Sequence, residues 1–576
     1  MKQLKGIAAS RGVCFGPVFR FIRQELKVEE YCVESSPKEM NRLKRAITAA
    51  RNQILDIYDK ALRESSEADA EIFQAHRMIL DDPELMKEVK RKIEEESLCA
   101  EYAMLTTAQS FSDMMAAMQD EYFAARATDI MDVGNRVVRI LLGVAESPSE
   151  NLKKPSIIVA DDLTPSDTVL LDKSLVLGFC TARGSATSHT AILARGLGIP
   201  AVSGAGVDIM EVPDGTQVIL DGGSGDVFID PDDGTLAEYQ KRMEIASSMH
   251  EASMKHAHEP AVTKDGVQLE VVANIGNVEG AESAVENGAE GVGLLRTEFL
   301  YLERKSLPSE EEQYEAYRAI LDVFGDMPVI LRTLDVGGDK EIPYMGLEAE
   351  SNSFLGFRAL RVCLARTDIF KPQLRAALRA GVDRNVKLMF PMVATVDEVR
   401  RARAILEECR EELRTESIPF ARNIEVGIMV EIPSAAVIAD QLAKEVDFFS
   451  IGTNDLSQYT MAADRTNSKV AELSDAFFPA VLRLVRDIIK AAHAEGKWVG
   501  MCGELAGEPL AAPILLGLGL DEFSMSPPMV PLIKQILRNL RADEMKTVAE
   551  QALQLETPQQ VQDFVKESVP FIAELI

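Results

Sequence analysis

A histidine set just ahead of an apolar helical run stands where an imidazole can carry a negatively charged group. Residues 184–195 read GSATSHTAILAR, and His189 is one of only six histidines in the chain. Thr187 and Ser188 are N-cap residue types, and Ala191, Ile192, Leu193 and Ala194 read as first helical turns. Backbone N–H groups and the dipole at such an N-terminus favour negative charge, which suits His189 to a phosphoryl group. A lone histidine is more often a capping or core residue, so the rest of the chain has to decide.

A second set of reactive residues closes a series of apolar runs in the C-terminal half. Asn274, Arg296, Arg332, Glu431, Asn454 with Asp455, and Cys502 with Glu504 end these runs, while Arg358 and Arg465 lie in loops after the third and sixth. One or two such residues would be strand punctuation; this many, mixing arginines with carboxylates, describe a pocket. Arginine forks bind carboxylate and phosphate bidentately. Glu431 and Asp455 have oxygen and amide neighbours and no His or Cys cluster, which suits Mg2+ rather than zinc. The pocket therefore fits a small, highly anionic, metal-chelated phosphate ester. Cys502 lies in GMCGELAG. Most cysteines are buried thiols and nothing more, but a place at a strand end in this pocket suits Cys502 to proton transfer. No Walker A pattern and no G-x-G-x-x-G after a strand occurs, so nothing points to ATP or a dinucleotide.

The elements that must position these residues follow from periodicity. Eight strand-like runs (VQLEVVANIG, GVGLLRTEFL, PVILRTLDVG, VKLMFPMV, VGIMVEIPSA, DFFSIGTND, WVGMCGE and DEFSMS) alternate with helical patterns. They predict a (β/α)8 TIM barrel over 261–576, whose reactive residues gather at the C-terminal strand ends. Residues 1–20 are β-like, and 146–232 carry short runs such as SIIVA and TQVIL; together they predict one α/β domain. Between them, residues 21–145 form a charged, Gly- and Pro-poor block that predicts an inserted all-α domain, with helices around 37–65, 67–95 and 98–120. Phe73, Met78 and Leu80, near His76, are expected as an exposed apolar patch for docking a protein. Residues 233–260 predict a polar linker helix, with Pro260 as a hinge. The class is thus multidomain α/β.

Composition narrows the partners. The formal net charge of −30 over 576 residues argues against nucleic acid and anionic membranes. Seven scattered cysteines without a C-x-x-C predict reduced thiols and a cytoplasmic location. No run approaches the length of a membrane span, and the N-terminus lacks a signal-peptide h-region.

The chain as a whole closely resembles Enzyme I of the bacterial sugar phosphotransferase system, the phosphoenolpyruvate–protein phosphotransferases. The resemblance runs from GIAASRGVCFG to GLGLDEFSMS and is carried most specifically by ATSHTAILAR, VDFFSIGTNDLSQYTMAADR and GMCGELAG. It implies that His189 is the phosphorylated histidine and that Arg296, Arg332 and Arg465 bind phosphate. It also implies Mg2+ held by Glu431 and Asp455, a substrate contact at Asn454, and proton donation by Cys502. Arg358 is expected to join the substrate-binding set. The implied partners are phosphoenolpyruvate, the small phosphocarrier HPr docked on the helical domain, and a second copy of the chain paired through the barrel. Pyruvate phosphate dikinases share both modules but need an ATP-binding domain that no segment here would supply. A catalytically inactive regulatory relative is disfavoured by the intact reactive set.

Overall fold

The chain divides into two compact units, Met1–Met243 and Glu244–Ile576. The structure is a computed structural model. It describes all residues except 11, 23–25, 27, 65–66, 117–120, 145–151, 164–166, 169–170, 185–189, 192, 195–197, 302–303, 305, 338–342, 348–349, 351, 466, 468–469, 574 and 576. His189 therefore lies outside the described residues.

In the first unit, eight strands form one sheet in the order β1-β8-β7-β3-β4-β5-β6-β2. They are β1 (Lys2–Lys5), β2 (Ile7–Ser10), β3 (Val13–Phe21), β4 (Ser156–Ala160), β5 (Val176–Thr181), β6 (Ala201–Ser203), β7 (Gln217–Asp221) and β8 (Asp226–Ile229). The N-terminal β3 sits mid-sheet, antiparallel to β7 and parallel to β4. A parallel neighbour requires a crossover connection. Here the crossover is the helical block: α1 (Ser36–Glu64), α2 (Glu67–Leu80), α3 (Pro83–Glu94), α4 (Ala100–Ala116) and α5 (Glu121–Leu142).

The stretch 67–95, expected as one helix, is two. The Asp82 side chain accepts from the N–H groups of Glu84 and Leu85 at 2.9 and 2.8 Å, and Pro83 starts the next helix. The expected apolar patch does not stand either. Phe73, His76 and Leu80 are buried, and Met78 alone of the set is exposed. Positions 73, 76 and 80 share one helix face, and that face packs into the helical core. Phe73 meets the His76 ring edge-on, 5.6 Å between centroids.

In the second unit, eight parallel strands close into a barrel. They are β10 (Gln268–Ile275), β11 (Val292–Leu295), β12 (Val329–Arg332), β13 (Val386–Phe390), β14 (Val426–Val430), β15 (Phe448–Ile451), β16 (Trp498–Met501) and β17 (Glu522–Met525). Closure follows because β10 pairs with both β11 and β17. The two-residue β9 (Ala261–Val262) adds antiparallel to β10. Alternation along each strand splits the core in two. Val271, Leu331, Phe390, Ile428 and Phe449 face outward onto the helices. Leu294, Ile330, Met389, Met429, Phe448 and Cys502 form a separate inward cluster.

Helix α6 (Asp233–Lys255) carries the chain from one unit into the other. Its C-terminal exit is held to the barrel unit. The fully buried Lys534 donates to the carbonyls of Ala257 and Gly288 at 3.0 and 2.7 Å, and Arg538 to those of His256 and Glu259 at 2.6 and 3.0 Å.

Candidate active site

The parallel strands deliver their C-terminal residues to one mouth of the barrel. Arg332 is the last residue of β12, and its guanidinium is buried between two carboxylates. Nη2 donates to Glu298 Oε1 at 2.6 Å, and Nη1 lies 3.1 Å from Asp335 Oδ2. Asp335 turns its other oxygen to Arg358, whose Nη2 donates to it at 2.9 Å. Arg358 also donates to the Tyr459 hydroxyl at 3.2 Å and lies 3.9 Å from Asp455. Burial by itself would weaken both guanidiniums' hold on their protons. The facing carboxylates outweigh it, chiefly Glu298 and Asp335 for Arg332, and Asp335 and Asp455 for Arg358. Two fixed, charged forks result.

The carboxylates that follow β14 and β15 are arranged differently. Glu431 is fully buried; its Oε1 accepts from the Met392 N–H at 2.6 Å, and its Oε2 has no hydrogen-bond partner among the described residues. Asp455 is buried in the first turn of helix Thr453–Met461, with Oδ1 similarly unmatched by a hydrogen bond. Arg465 Nη2 stands 3.9 Å from that oxygen. Burial, followed by the repulsion of Asp455 and Asp335, raises the Glu431 carboxyl well above the usual carboxylate range. Two buried acceptors without donors, each raising the other's electrostatic cost, fit an oxygen-seeking divalent cation. Among the described residues no group of three or more His, Cys, Asp or Glu gathers to hold a metal. Glu431 and Asp455 are the carboxylates here that could hold such a cation, with oxygens from elsewhere completing its shell.

The remaining residues frame the floor and rim. Arg296 is exposed just past β11, its N–H bonded to Ile275 O at 2.9 Å. Asn454 accepts the Glu504 N–H at 2.9 Å. Cys502 is buried beyond β16, and its carbonyl accepts from Asn274 Nδ2 at 3.0 Å. Burial raises the Cys502 thiol to about 11; Ser450, Arg332 and Arg296 pull the other way. A Cβ on Gly503 would fall 1.9 Å from Thr453 Oγ1, so only glycine lets this loop close against its neighbour.

The structure thus gathers Arg332, Arg358, Glu431, Asp455 and Arg465 through direct or shared contacts. Arg296 and Cys502 lie within electrostatic reach of one another. Glu298, Asp335 and Tyr459, which hold the arginines, were not anticipated. A signal was present: Arg296 is followed by an acid two residues on, and Arg332 by one three residues on.

Family models match three consecutive regions: PEP-utilising enzyme, N-terminal, at residues 5–126; the mobile domain at 152–225; and the PEP-binding domain at 250–542. The phosphoenolpyruvate-protein phosphotransferase of Geobacillus stearothermophilus is 49% identical over 98% of this chain and 98% of its own. The chain belongs to that family. The Bacillus subtilis member is 48% identical, covering 99% of this chain and 100% of its own. A solution structure of an Enzyme I protein is 39% identical over 42% of this chain and 98% of that one, with a TM-score of 0.38. In this phosphotransferase family member, no helix among the described residues is long and apolar enough to cross a membrane.

Proposed function

We infer that this chain takes the phosphoryl group of phosphoenolpyruvate onto His189 and passes it to a histidine of the small carrier HPr, releasing pyruvate. This is the entry step of phosphotransferase-system sugar uptake. One observation carries the reading most directly. A family member places two carboxylate-anchored arginine forks beside two buried, under-bonded carboxylates at one barrel mouth.

In this reading Arg296, Arg332, Arg358 and Arg465 hold the substrate's phosphate and carboxylate, and Asn454 orients it. Glu431 and Asp455 hold the divalent cation, Mg2+ by its preference for oxygen. When bound, the cation would stabilise developing negative charge on the enolate oxygen. A neutral ring nitrogen of His189 attacks phosphorus in line, and the phosphorus–oxygen bond to the enolate breaks. Cys502 then gives its proton to the methylene carbon, completing pyruvate.

The helical block 21–145 is the proposed carrier dock, and the barrel unit, 261–576, the proposed dimer contact, in a cytoplasmic enzyme. Residues 1–20 with 146–232 form the proposed phosphohistidine domain, and 233–260 the linker. Incubation with labelled phosphoenolpyruvate and Mg2+, followed by mapping of the acid-labile phosphate, tests the assignment. Label is expected on the peptide containing His189. Label on His76 or His493 in its place would refute it.

A further inference from the structure

Beneath the mouth, the barrel interior carries polar groups that phosphoryl transfer leaves without a task. Strands β15, β16 and β17 run side by side, with Ser450 level with Gly500 and Gly500 level with Glu522. Alternation turns these positions toward the barrel axis, in the same phase as Phe448 and Cys502 of the inward cluster. Cys502 follows Gly500 by two residues, so it stands one layer higher on the same face. Ser450, Glu522 and Cys502 are 0%, 2% and 5% exposed.

Glu522 reaches across β16 because residue 500 is glycine: a Cβ there would lie 2.5 Å from Glu522 Oε1. The carboxyl fills the space in front of Gly500, and Ser450 is level with that glycine on the next strand. Neighbouring parallel strands are about 4.8 Å apart, a gap spanned by a hydrogen bond or one bridging water. Glu522 Oε1 has no hydrogen-bond partner among the described residues, and the Ser450 hydroxyl is turned to the Cys502 thiol, whose proton affinity it lowers. A buried carboxyl oxygen left this way carries an energetic cost that packing alone does not explain.

We propose that Glu522 is an internal proton donor that restores the Cys502 thiol, with the Ser450 hydroxyl as the relay between them. The proposal rests on Cys502 being the acid that protonates the enolate carbon. In that step the S–H bond breaks and a C–H bond forms, leaving a thiolate. The Ser450 proton then moves to sulfur as one bridging water gives a proton to the serine oxygen and takes the Glu522 proton in its place, leaving a carboxylate. That carboxylate recovers its proton from solvent at the N-terminal mouth of the barrel, where Glu270 is exposed.

The proton affinities run in the required order. Burial, then the Glu270 charge, raises Glu522 to about 8, with Lys387 opposing and Asp521 adding; burial raises Cys502 to about 11. Burial thus favours the protonated Glu522 carboxyl and raises the thiol further, so transfer to a thiolate runs downhill. Lys387 does not neutralise Glu522 by pairing with it. It is bonded to Glu425 at 2.8 Å and lies 4.4 Å over the Trp498 ring.

The test follows two exchanges in one sample of full-length protein with Mg2+, pyruvate and phosphoenolpyruvate in D2O. Carbon label moving between the two compounds reports phosphoryl transfer, and deuterium entering their C3 positions reports renewal of the Cys502 proton from solvent. Without the relay, the thiol returns the proton it removed. Glu522→Gln and Ser450→Ala are therefore expected to lower the ratio of deuterium entry to carbon exchange at least tenfold. An unchanged ratio in either folded variant overturns the proposal. Should Glu522→Gln fail to fold, Ser450→Ala, which removes a single oxygen, decides alone. Cys502→Ala separates the two ideas: both exchanges surviving in it would refute the Cys502 role itself.

Discussion

At the scale of single residues, charge placement governs the site. Asp335 bridges Arg332 and Arg358, each through a separate oxygen. Asp335→Asn keeps the shape but removes the charge that fixes both forks. Phosphoenolpyruvate binding is expected to weaken by roughly tenfold or more, since charge-assisted pairs are about twice as strong as neutral ones. Direct binding measurements check this, and unchanged affinity would remove Asp335 from the positioning set. Glu431→Gln and Asp455→Asn should each cut metal-dependent phosphoenzyme formation by more than about a hundredfold. Loss of mere outer partners of a metal ligand already costs about 10–100-fold. Glu522 makes a separate prediction about stability. Its carboxyl is pushed up to about 8 in the fold from the ordinary glutamate value of 4.5, so the folded state binds the proton more tightly. Its contribution is whole below about 4.5 and is lost as pH rises through about 8. Glu522→Gln should therefore gain stability relative to the parent across that window, by a few kcal/mol at the upper end, and the difference should level off above it. Melting temperatures taken from pH 5 to 9 would show a pH-independent difference if this account were mistaken.

At the scale of elements, legibility tracked burial. The barrel strands were readable because strands buried on both faces are continuous apolar runs. That Arg332, Glu431, Asp455 and Cys502 lie at one end of the barrel was legible because each interrupts or closely follows such a run. Ser450 and Glu522 were not, because an inward polar residue inside a strand shows its direction only once alternation and register are known. The helix break at Asp82–Pro83 carried its own signal, an N-cap followed by proline, overridden by strong helical periodicity on both sides. Phe73 and Leu80 were misassigned because an apolar helical face looks alike whether it meets a partner or its own core. The exit of α6 yields a prediction at this scale. Lys534 and Arg538 bind residues 256–259 to the barrel unit, and β9 at Ala261–Val262 pairs with β10. With these contacts kept, flexure is expected upstream of His256. Lys534→Ala would leave the Ala257 and Gly288 carbonyls without that donor, at about 1–3 kcal/mol for each such group, and take the ion-pair partner from Glu290. Hydrogen exchange at residues 255–262 should rise sharply in that variant. Unaltered protection there would mean the clamp contributes nothing.

At the scale of the whole molecule, the proposed chemistry is split between two compact units: His189 belongs to the first, and the phosphate- and metal-binding residues to the second. A fragment of residues 244–576 is expected to bind phosphoenolpyruvate with Mg2+ yet release no pyruvate, because it lacks the acceptor. Pyruvate release by that fragment would show that water or a barrel residue accepts the phosphoryl group. The central claim is that one histidine takes that group while the barrel makes pyruvate. Rapid mixing of the full chain with excess phosphoenolpyruvate and Mg2+, without any carrier, measures this as the size of the pyruvate burst. The account predicts a burst approaching one pyruvate per chain that then stops, and none from His189→Ala although that variant still binds phosphoenolpyruvate. Sustained pyruvate formation in the absence of carrier, or a full burst from His189→Ala, would contradict it.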